Sequence, residues 1–458
     1  MKKIFKTIIG CVSVVLMAGV VLSCSKSIEL PDAEDIIQET GLKTCSMTLD
    51  GGVSGFGQDG EQVLTKATSS AWEDGDLLYV TFYNGETIVS GTAIYSSSAG
   101  WSISYDGDLA GGTGLKCEVR HFVNATFANA SLVTINTETE IYEDVDGSYE
   151  YDGTTLSVKA HMTPKTGRIR FKGTAEEVIH LTGISVYTTY APALNKFSDI
   201  KSMIALTVGS DGYTPYVYGA LANENKKLGL IGSDFAFTRT CTDEILKVGD
   251  SGYMTIPSEN SHNKWSSGLY VSVGDVEFKM IAVAGHTDGF FLIGETEITR
   301  GLYNIVAGET SAANANNPKT GLSYSGFYTF VQNLNSQTQL AFSLPSKDQW
   351  LYASIGGNQS QGFTYSGSNN PRDVAWYEVN SEGKSHPVKQ LAPNELGIFD
   401  MSGNVAELTS TNNGGSGYAR YYYALGGHYN STATSLTSTL SCNDAQGEIG
   451  ARLMLTLN

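Results

Sequence analysis

With 458 residues and a formal charge of −18, the chain is long enough for several domains and too acidic to gather a phosphate backbone, which excludes nucleic acid as an expected partner. Only 17% of its residues are charged, whereas 51 glycines, 25 tyrosines and abundant Ser, Thr and Asn suit a turn-rich β protein with a neutral polar surface. The six cysteines, at positions 11, 24, 45, 117, 241 and 442, show no Cys-x-x-Cys spacing, so neither a disulfide framework nor a zinc site is legible.

Lys2, Lys3 and Lys6 precede an apolar run from Thr7 to Leu22 that ends at Leu22-Ser23-Cys24, the pattern of a lipoprotein signal peptide. The run is short for a spanning helix, and an anchor helix is the alternative reading. We expect residues 1–23 to be removed and Cys24 to carry lipid, which holds a protein on a membrane face at about 0.8 kcal/mol per buried methylene. The expected location is the outer membrane, lipid-anchored, on the cell surface. Residues 24–44 are polar and acidic, with Glu29, Asp32, Glu34, Asp35 and Glu39, and read as a tether.

Short alternating runs separated by glycine and Asp-Gly turns follow, at Leu77 to Tyr83, Trp101 to Tyr105, Leu115 to Phe122 and Leu132 to Ile135. They predict an antiparallel β-sandwich over residues 45–155. A second set, Leu156 to Met162, Arg168 to Gly173 and Gly183 to Tyr187, predicts another over 156–272. His161 lacks a second ligand at metal spacing and reads as an ordinary strand residue. Thr65-Lys66-Ala67-Thr68 before Trp72-Glu73-Asp74-Gly75-Asp76 resembles the opening of fimbrillin-like proteins, and the second set resembles their second sandwich. That resemblance implies a stalk or pilus subunit, with pilus subunits as partners and strand exchange between them.

From Val276 to the C-terminus, Thr296 or Thr299 can cap a helix through Leu302, Ile305 and Val306. Phe327, Phe330, Val331 and Leu334 recur at helical spacing after Ser323, and Ser346 caps a third helix that turns Trp350 and Leu351 inward. The segment Leu344-Pro345-Ser346 to Trp350, followed some fifty residues later by Pro393-Asn394-Glu395-Leu396-Gly397-Ile398-Phe399-Asp400-Met401-Ser402-Gly403-Asn404-Val405, resembles formylglycine-generating enzymes, the sulfatase-modifying factors. The fold class expected is therefore multidomain: two antiparallel fimbrillin-like β-sandwiches, then an α+β, C-type-lectin-like domain over 273–458.

Those enzymes place two cysteines after a Gly-Gly-Ser-aromatic segment to bind copper and oxidise a substrate thiol. The matching segment is Gly426-Gly427-His428-Tyr429-Asn430, and the resemblance puts the two positions on Ser431 and Leu436. Neither can be a thiolate ligand, so no copper and no enzyme are expected. Cys442 lies six residues beyond and reads as a core or loop thiol. The family's Trp-Glu-Trp becomes Ala406-Glu407-Leu408, and Leu425 replaces its Arg. Asp400, Gly403, Val405 and Glu407 match ligands of the family's structural calcium, the alternative being a loop held by backbone hydrogen bonds. Val374 degrades a second family calcium site.

Residues 409–447 concentrate Tyr, Asn, Ser and Gly, the composition of adaptable recognition loops. Such a tail, ending in Ile449-Gly450-Ala451-Arg452-Leu453, resembles the variable proteins of diversity-generating retroelements; an ordinary degenerate family member is the alternative. Candidate ligand contacts are Tyr418, Tyr421, Tyr422, Tyr423, His428, Tyr429, Asn430, Asn443 and Asp444. The function expected is a surface adhesin or receptor with a non-catalytic head for a protein or glycan. Its alternatives are a pilus-tip subunit and a sulfatase-modifying-type enzyme.

Overall fold

The computed structural model describes residues 42–53, 72–129, 132–221, 226–241, 251–257, 265–309, 314–414, 421–437, 440–442 and 447–457. The signal segment, Cys24, most of the tether and Thr65–Thr68 lie outside the described residues.

The first module contains β1 (Lys43–Val53), β2 (Leu77–Asn84), β3 (Thr87–Ser96), β4 (Gly100–Tyr105) and β5 (Gly112–Val123). After an excursion through β6 (Thr126–Asn129) and β7 (Leu132–Thr134), the chain returns as β8 (Glu140–Tyr151) and β9 (Leu156–Pro164). Where two open sheets were expected, the ladder closes into a barrel in the order β1-β4-β3-β2-β5-β8-β9. The cause is β1, which runs antiparallel to β4 over Lys43–Met47 and parallel to β9 from Met47 to Val53. One strand that changes partner midway joins both edges and leaves none exposed. Alternation along β9 buries Leu156, Val158, Ala160 and Met162 against Phe82, Ile103 and Tyr149. Hydrogen bonding thus carries the first module to Pro164, past the boundary expected at 155/156.

The second module comprises β10 (Gly167–Lys172), β11 (Val178–Ala191), β12 (Lys196–Thr207), β13 (Val217–Leu221), β14 (Lys227–Ile231), β15 (Ala236–Thr240), β16 (Ser251–Thr255) and β17 (Ser266–Ser267). Its sheet runs β16-β10-β13-β11-β14-β15-β17, with β12 and β7 also pairing with β11. Because β7 belongs to this sheet, the first two modules are interleaved. Arg120 of β5, 5% exposed, sits at their seam and donates to Glu118 (2.9 Å), Glu143 (3.1 Å) and Asn195. Asn195, in a left-handed conformation between β11 and β12, donates in turn to Tyr83 and Glu118. Tyr190 and Phe197 flank the guanidinium with their rings.

The head starts earlier than Val276, because β18 (Leu269–Val273) pairs with β19 (Val276–Val283). That sheet continues through β20 (Phe291–Gly294), β28 (Met454–Thr456) and β21 (Phe342–Ser343). Three helices pack with it: α1 (Arg300–Val306), capped by Thr299; α2 (Tyr324–Thr338), capped by Ser323; and α3 (Lys347–Ser354), where Ser346 and Gln349 form a reciprocal capping box. Phe327, Phe330, Val331 and Leu334 of α2 are buried as the spacing predicts. Trp350 of α3 is buried, but Leu351 is 38% exposed, since the short helix turns only one side to the core. The short pair β22 (Ala375–Trp376) and β23 (Ser402–Gly403) precedes a second head sheet, with order β26-β25-β24-β27, built from β24 (Ala406–Gly414), β25 (Tyr421–Leu425), β26 (Leu440–Cys442) and β27 (Ile449–Ala451). Ile231 and Ala236 of the second module share one hydrophobic core with Leu269 and Phe327, so head and stalk meet on apolar contacts.

Removing Arg120 leaves the part-buried Glu118 without its cation, while Glu143 keeps Lys165 at 2.8 Å. Arg120→Met is expected to lower the unfolding free energy of the first two modules by about 3–5 kcal/mol in urea titrations.

Candidate functional site

The Gly-Asn-Val loop leads straight into β24, and its acidic residue faces inward. Glu407 and Arg452 are both fully buried, and Arg452 donates through Nε and Nη2 to both Glu407 oxygens at 2.5–3.2 Å. Trp350 Nε1 donates to Glu407 Oε2 at 2.6 Å. The remaining guanidinium hydrogens reach the carbonyls of Gly294 (2.9 Å) and Phe399 (2.8 Å). One cation therefore pins β20, the loop before Asp400, β24 and the end of β27 together. A bidentate pair with every other donor satisfied is the arrangement in which burying charge is tolerated.

Of the four residues expected around calcium, Glu407 is committed to a guanidinium, and the buried Val405 and Gly403 lie in packed backbone: Gly403 N–H donates to the Gly426 carbonyl, and a Cβ on Gly403 would stand 2.3 Å from the Trp376 carbonyl oxygen. Among the described residues no three His, Cys, Asp or Glu side chains gather as a metal site.

Asp400 instead meets Glu297, and both are buried. The Asp400 backbone is left-handed (φ 61°), and its Oδ2 accepts from Lys389 N–H at 2.7 Å. Burial pushes the Asp400 carboxyl up to about 6, with the Lys389 hydrogen bond opposing the shift. Burial, and then the Asp400 charge, holds Glu297 well above the usual carboxylate range. Glu297 accepts from Asn404 Nδ2 at 3.0 Å on Oε1, and its side chain is hydrogen-bonded to Asp400. The Glu407 position is thus structural, and the Asp400 position belongs to a proton-sharing pair.

The two positions equivalent to the family's cysteines do come together. A Cβ built on Gly427 would meet the Leu436 side chain at 3.1 Å and Ser431 Oγ at 3.2 Å. Ser431 Oγ accepts from the His428 N–H at 2.9 Å, and Ser431 and Leu436 are buried. Leu436 packs under a cleft of about 170 Å³ shared with Trp350, Ile355, Phe363, Tyr365 and Met401. A hydroxyl that accepts a backbone hydrogen bond and a leucine thus occupy the two positions.

The candidate ligand contacts divide. Tyr418, Asn443 and Asp444 lie outside the described residues, as does the side chain of Tyr421. Tyr422 lies flat on Tyr324 of α2, with rings 3.7 Å apart and 2° from parallel, and packs against the head core. Tyr423 lies under Lys347 Nζ at 4.3 Å. His428, Tyr429 and exposed Asn430 form a tight turn in which Asn430 N–H donates to His428 Nδ1; burial lowers the His428 pKa, which keeps that nitrogen an acceptor. Tyr422 therefore has a packing role that composition did not reveal. The α2 tyrosines beside it were read only as part of a core helix.

Two outcomes follow. Arg452→Met is expected to cost about 3–5 kcal/mol in thermal or urea unfolding of the head, and the double variant Arg452→Met with Glu407→Leu much less. Because Glu297 and Asp400 hold protons in the fold at a pH where the unfolded chain has released them, their contribution to stability is present in acid; the Asp400 part is lost as pH rises through about 6, and the Glu297 part as pH rises well above the usual carboxylate range. Glu297→Gln, which keeps the donor without the charge, is expected to melt with the parent at pH 4 and several degrees above it at pH 8.

Residues 279–456 match the Sulfatase-modifying factor enzyme 1-like domain. An 83-residue stretch is 47% identical to the Chaperone protein LppX of Paenibacillus barcinonensis, over 14% of this chain and 30% of that protein, so the chain spans under a third of this curated relative. Among solved structures, Treponema denticola variable protein 1 is 22% identical and aligns over 41% of this chain and 98% of its own, at a TM-score of 0.36. A fimbrial protein from Bacteroides ovatus is 8% identical and aligns over 91% of this chain and 100% of its own, at a TM-score of 0.23. The C-terminal region of this mostly β, multidomain chain is a sulfatase-modifying factor enzyme 1-like domain.

Proposed function

We propose that the protein is a lipid-anchored surface protein whose C-terminal head binds a ligand and performs no oxidation. The observation that carries this reading is the meeting of Ser431 and Leu436 around Gly427. Where the resemblance puts the family's two thiolates stand a hydroxyl bonded to a backbone amide and an apolar side chain. The copper site that the resemblance implies is built on deprotonated sulfur, which neither supplies. Around it, the Glu407–Arg452 pair keeps the platform rigid, and a rigid platform carrying Tyr- and Asn-rich loops is the architecture of recognition. The lipid on Cys24, the outer membrane as location, and a protein or glycan as partner belong to the same proposal. Retroelement diversification of residues 409–447 is its further form, supported by their composition and by their place between fixed strands.

Incubated with copper, oxygen and a cysteine peptide, the detergent-solubilised full chain is expected to consume no thiol; turnover would overturn the non-enzymatic reading. In flow cytometry against panels of bacterial and animal cells, Asn430→Ala is expected to reduce binding with an unchanged melting temperature, and Tyr422→Ala to reduce both. Sequencing the coding DNA for residues 405–458 across one population separates a diversified receptor, with changes confined to adenine-derived codons, from a fixed adhesin.

A further inference from the structure

Beside the Tyr324–Tyr422 stack the head carries a second recess, of about 90 Å³, that the tail alone would not suggest. It is lined by Tyr324, Tyr328, Val331 and Gln332 of α2, Phe342 and Ser343 of β21, Leu344, and Ser410 of β24. Helical spacing puts Tyr324 and Tyr328 one turn apart on the same flank. Tyr328 is 54% exposed, although the core-facing side of α2 is already filled by Phe327, Phe330, Val331 and Leu334. An exposed aromatic ring at the mouth of a recess offers a large flat contact at little rotamer cost.

The walls are fixed before any ligand arrives. Asn335 of α2 both donates to the Phe342 carbonyl (2.9 Å) and accepts from the Phe342 N–H (2.8 Å), which ties β21 to the helix. Ser410 N–H donates to the Pro345 carbonyl at 2.8 Å, and Lys347 N–H to Thr411 Oγ1 at 2.9 Å, which hold the β24 side. Tyr422, stacked on Tyr324, holds that lining ring in place. Preorganisation of this kind removes part of the ordering cost of binding.

The lining decides the chemistry. None of its eight residues is charged, so nothing in the recess compensates the desolvation of a carboxylate, sulfate or ammonium group. Nor is it purely apolar. The Gln332 amide and the Ser343 and Ser410 hydroxyls stand beside aromatic and aliphatic walls, and a wholly apolar side chain would cover those polar groups without pairing them. A sugar ring presents an apolar C–H face to an aromatic ring and hydroxyls around its edge, which matches both features.

We propose that this recess is a subsite for an uncharged sugar residue, with Tyr328 as the stacking platform and Gln332, Ser343 and Ser410 as hydroxyl partners. The assignment rests on the binding-head reading and narrows its ligand to a neutral glycan engaged without a metal ion.

The test uses the solubilised full chain and a panel of neutral hexose, N-acetylhexosamine and deoxyhexose oligosaccharides, read by saturation-transfer NMR and calorimetry with and without chelator. The expected result is chelator-insensitive binding of at least one neutral sugar, weakened about tenfold or more by Tyr328→Ala and by Gln332→Ala. Both residues are exposed, so unchanged melting temperatures separate lost contact from lost fold. Neutral sugar binding that survives Tyr328→Ala overturns the subsite, as does binding of acidic glycans alone. Cell binding that depends on Asn430 but is indifferent to Tyr328 and to neutral sugars overturns the subsite while leaving the binding head standing. Loss of all cell binding and all sugar binding overturns both.

Discussion

The head depends on one buried cation. Arg452 lies at the end of β27, yet its guanidinium reaches the carboxylate of Glu407 on β24 and the carbonyls of Gly294 and Phe399, which lie 45, 158 and 53 residues away in sequence. Little regular structure surrounds it: short helices, short strands and long irregular connections. In such a fold the hydrophobic effect supplies driving force without direction. A bidentate ion pair with its remaining hydrogens satisfied supplies direction, because only one arrangement of the four segments leaves no charge or donor unpaired. The same pair removes Glu407 from any chemistry, since its oxygens are taken by Arg452 and Trp350.

A similar device holds the stalk. Arg120 joins β5 to β8 and to the turn between β11 and β12, and Tyr190 and Phe197 close over it. The first two modules are also interleaved, because β6 and β7 leave the barrel to join the neighbouring sheet. Head and second module then share an apolar core through Ile231, Ala236 and Leu269. Each connection between modules is thus a packed surface rather than a loose linker.

Local rules read well from the sequence. Period-two alternation located β2, β4, β9 and β10, and the caps Thr299, one of two threonines considered, and Ser346 were legible because a single hydroxyl before an apolar helical run has few other uses. The motif around Asp400 and Gly403 identified the C-terminal domain. What stayed hidden was partnership at long range. Nothing local in β1 announces that it pairs with β4 at one end and β9 at the other, so the barrel was read as open sheets and its last strand was assigned to the next module. Glu407 and Asp400, close in sequence, were read together as ligands; their real partners, Arg452 and Glu297, lie far away and carry no spacing signal. Tyr422 shows the same limit, because composition marks a tyrosine as suited to recognition and only its neighbour Tyr324 shows that it also packs.

The parallel pairing of β24 with β27 sets Ala406 beside Ile449 and Leu408 beside Ala451. The whole Tyr- and Asn-rich excursion therefore departs and returns at adjacent backbones, like a loop drawn from two fixed posts. For a flexible excursion, each doubling of length adds only about 0.6 kcal/mol of closure entropy. Insertions or deletions outside β25 and β26 would leave the pairing of β24 with β27 in place. The scaffold's capacity for change is thereby concentrated in the one stretch whose ends the fold never has to move.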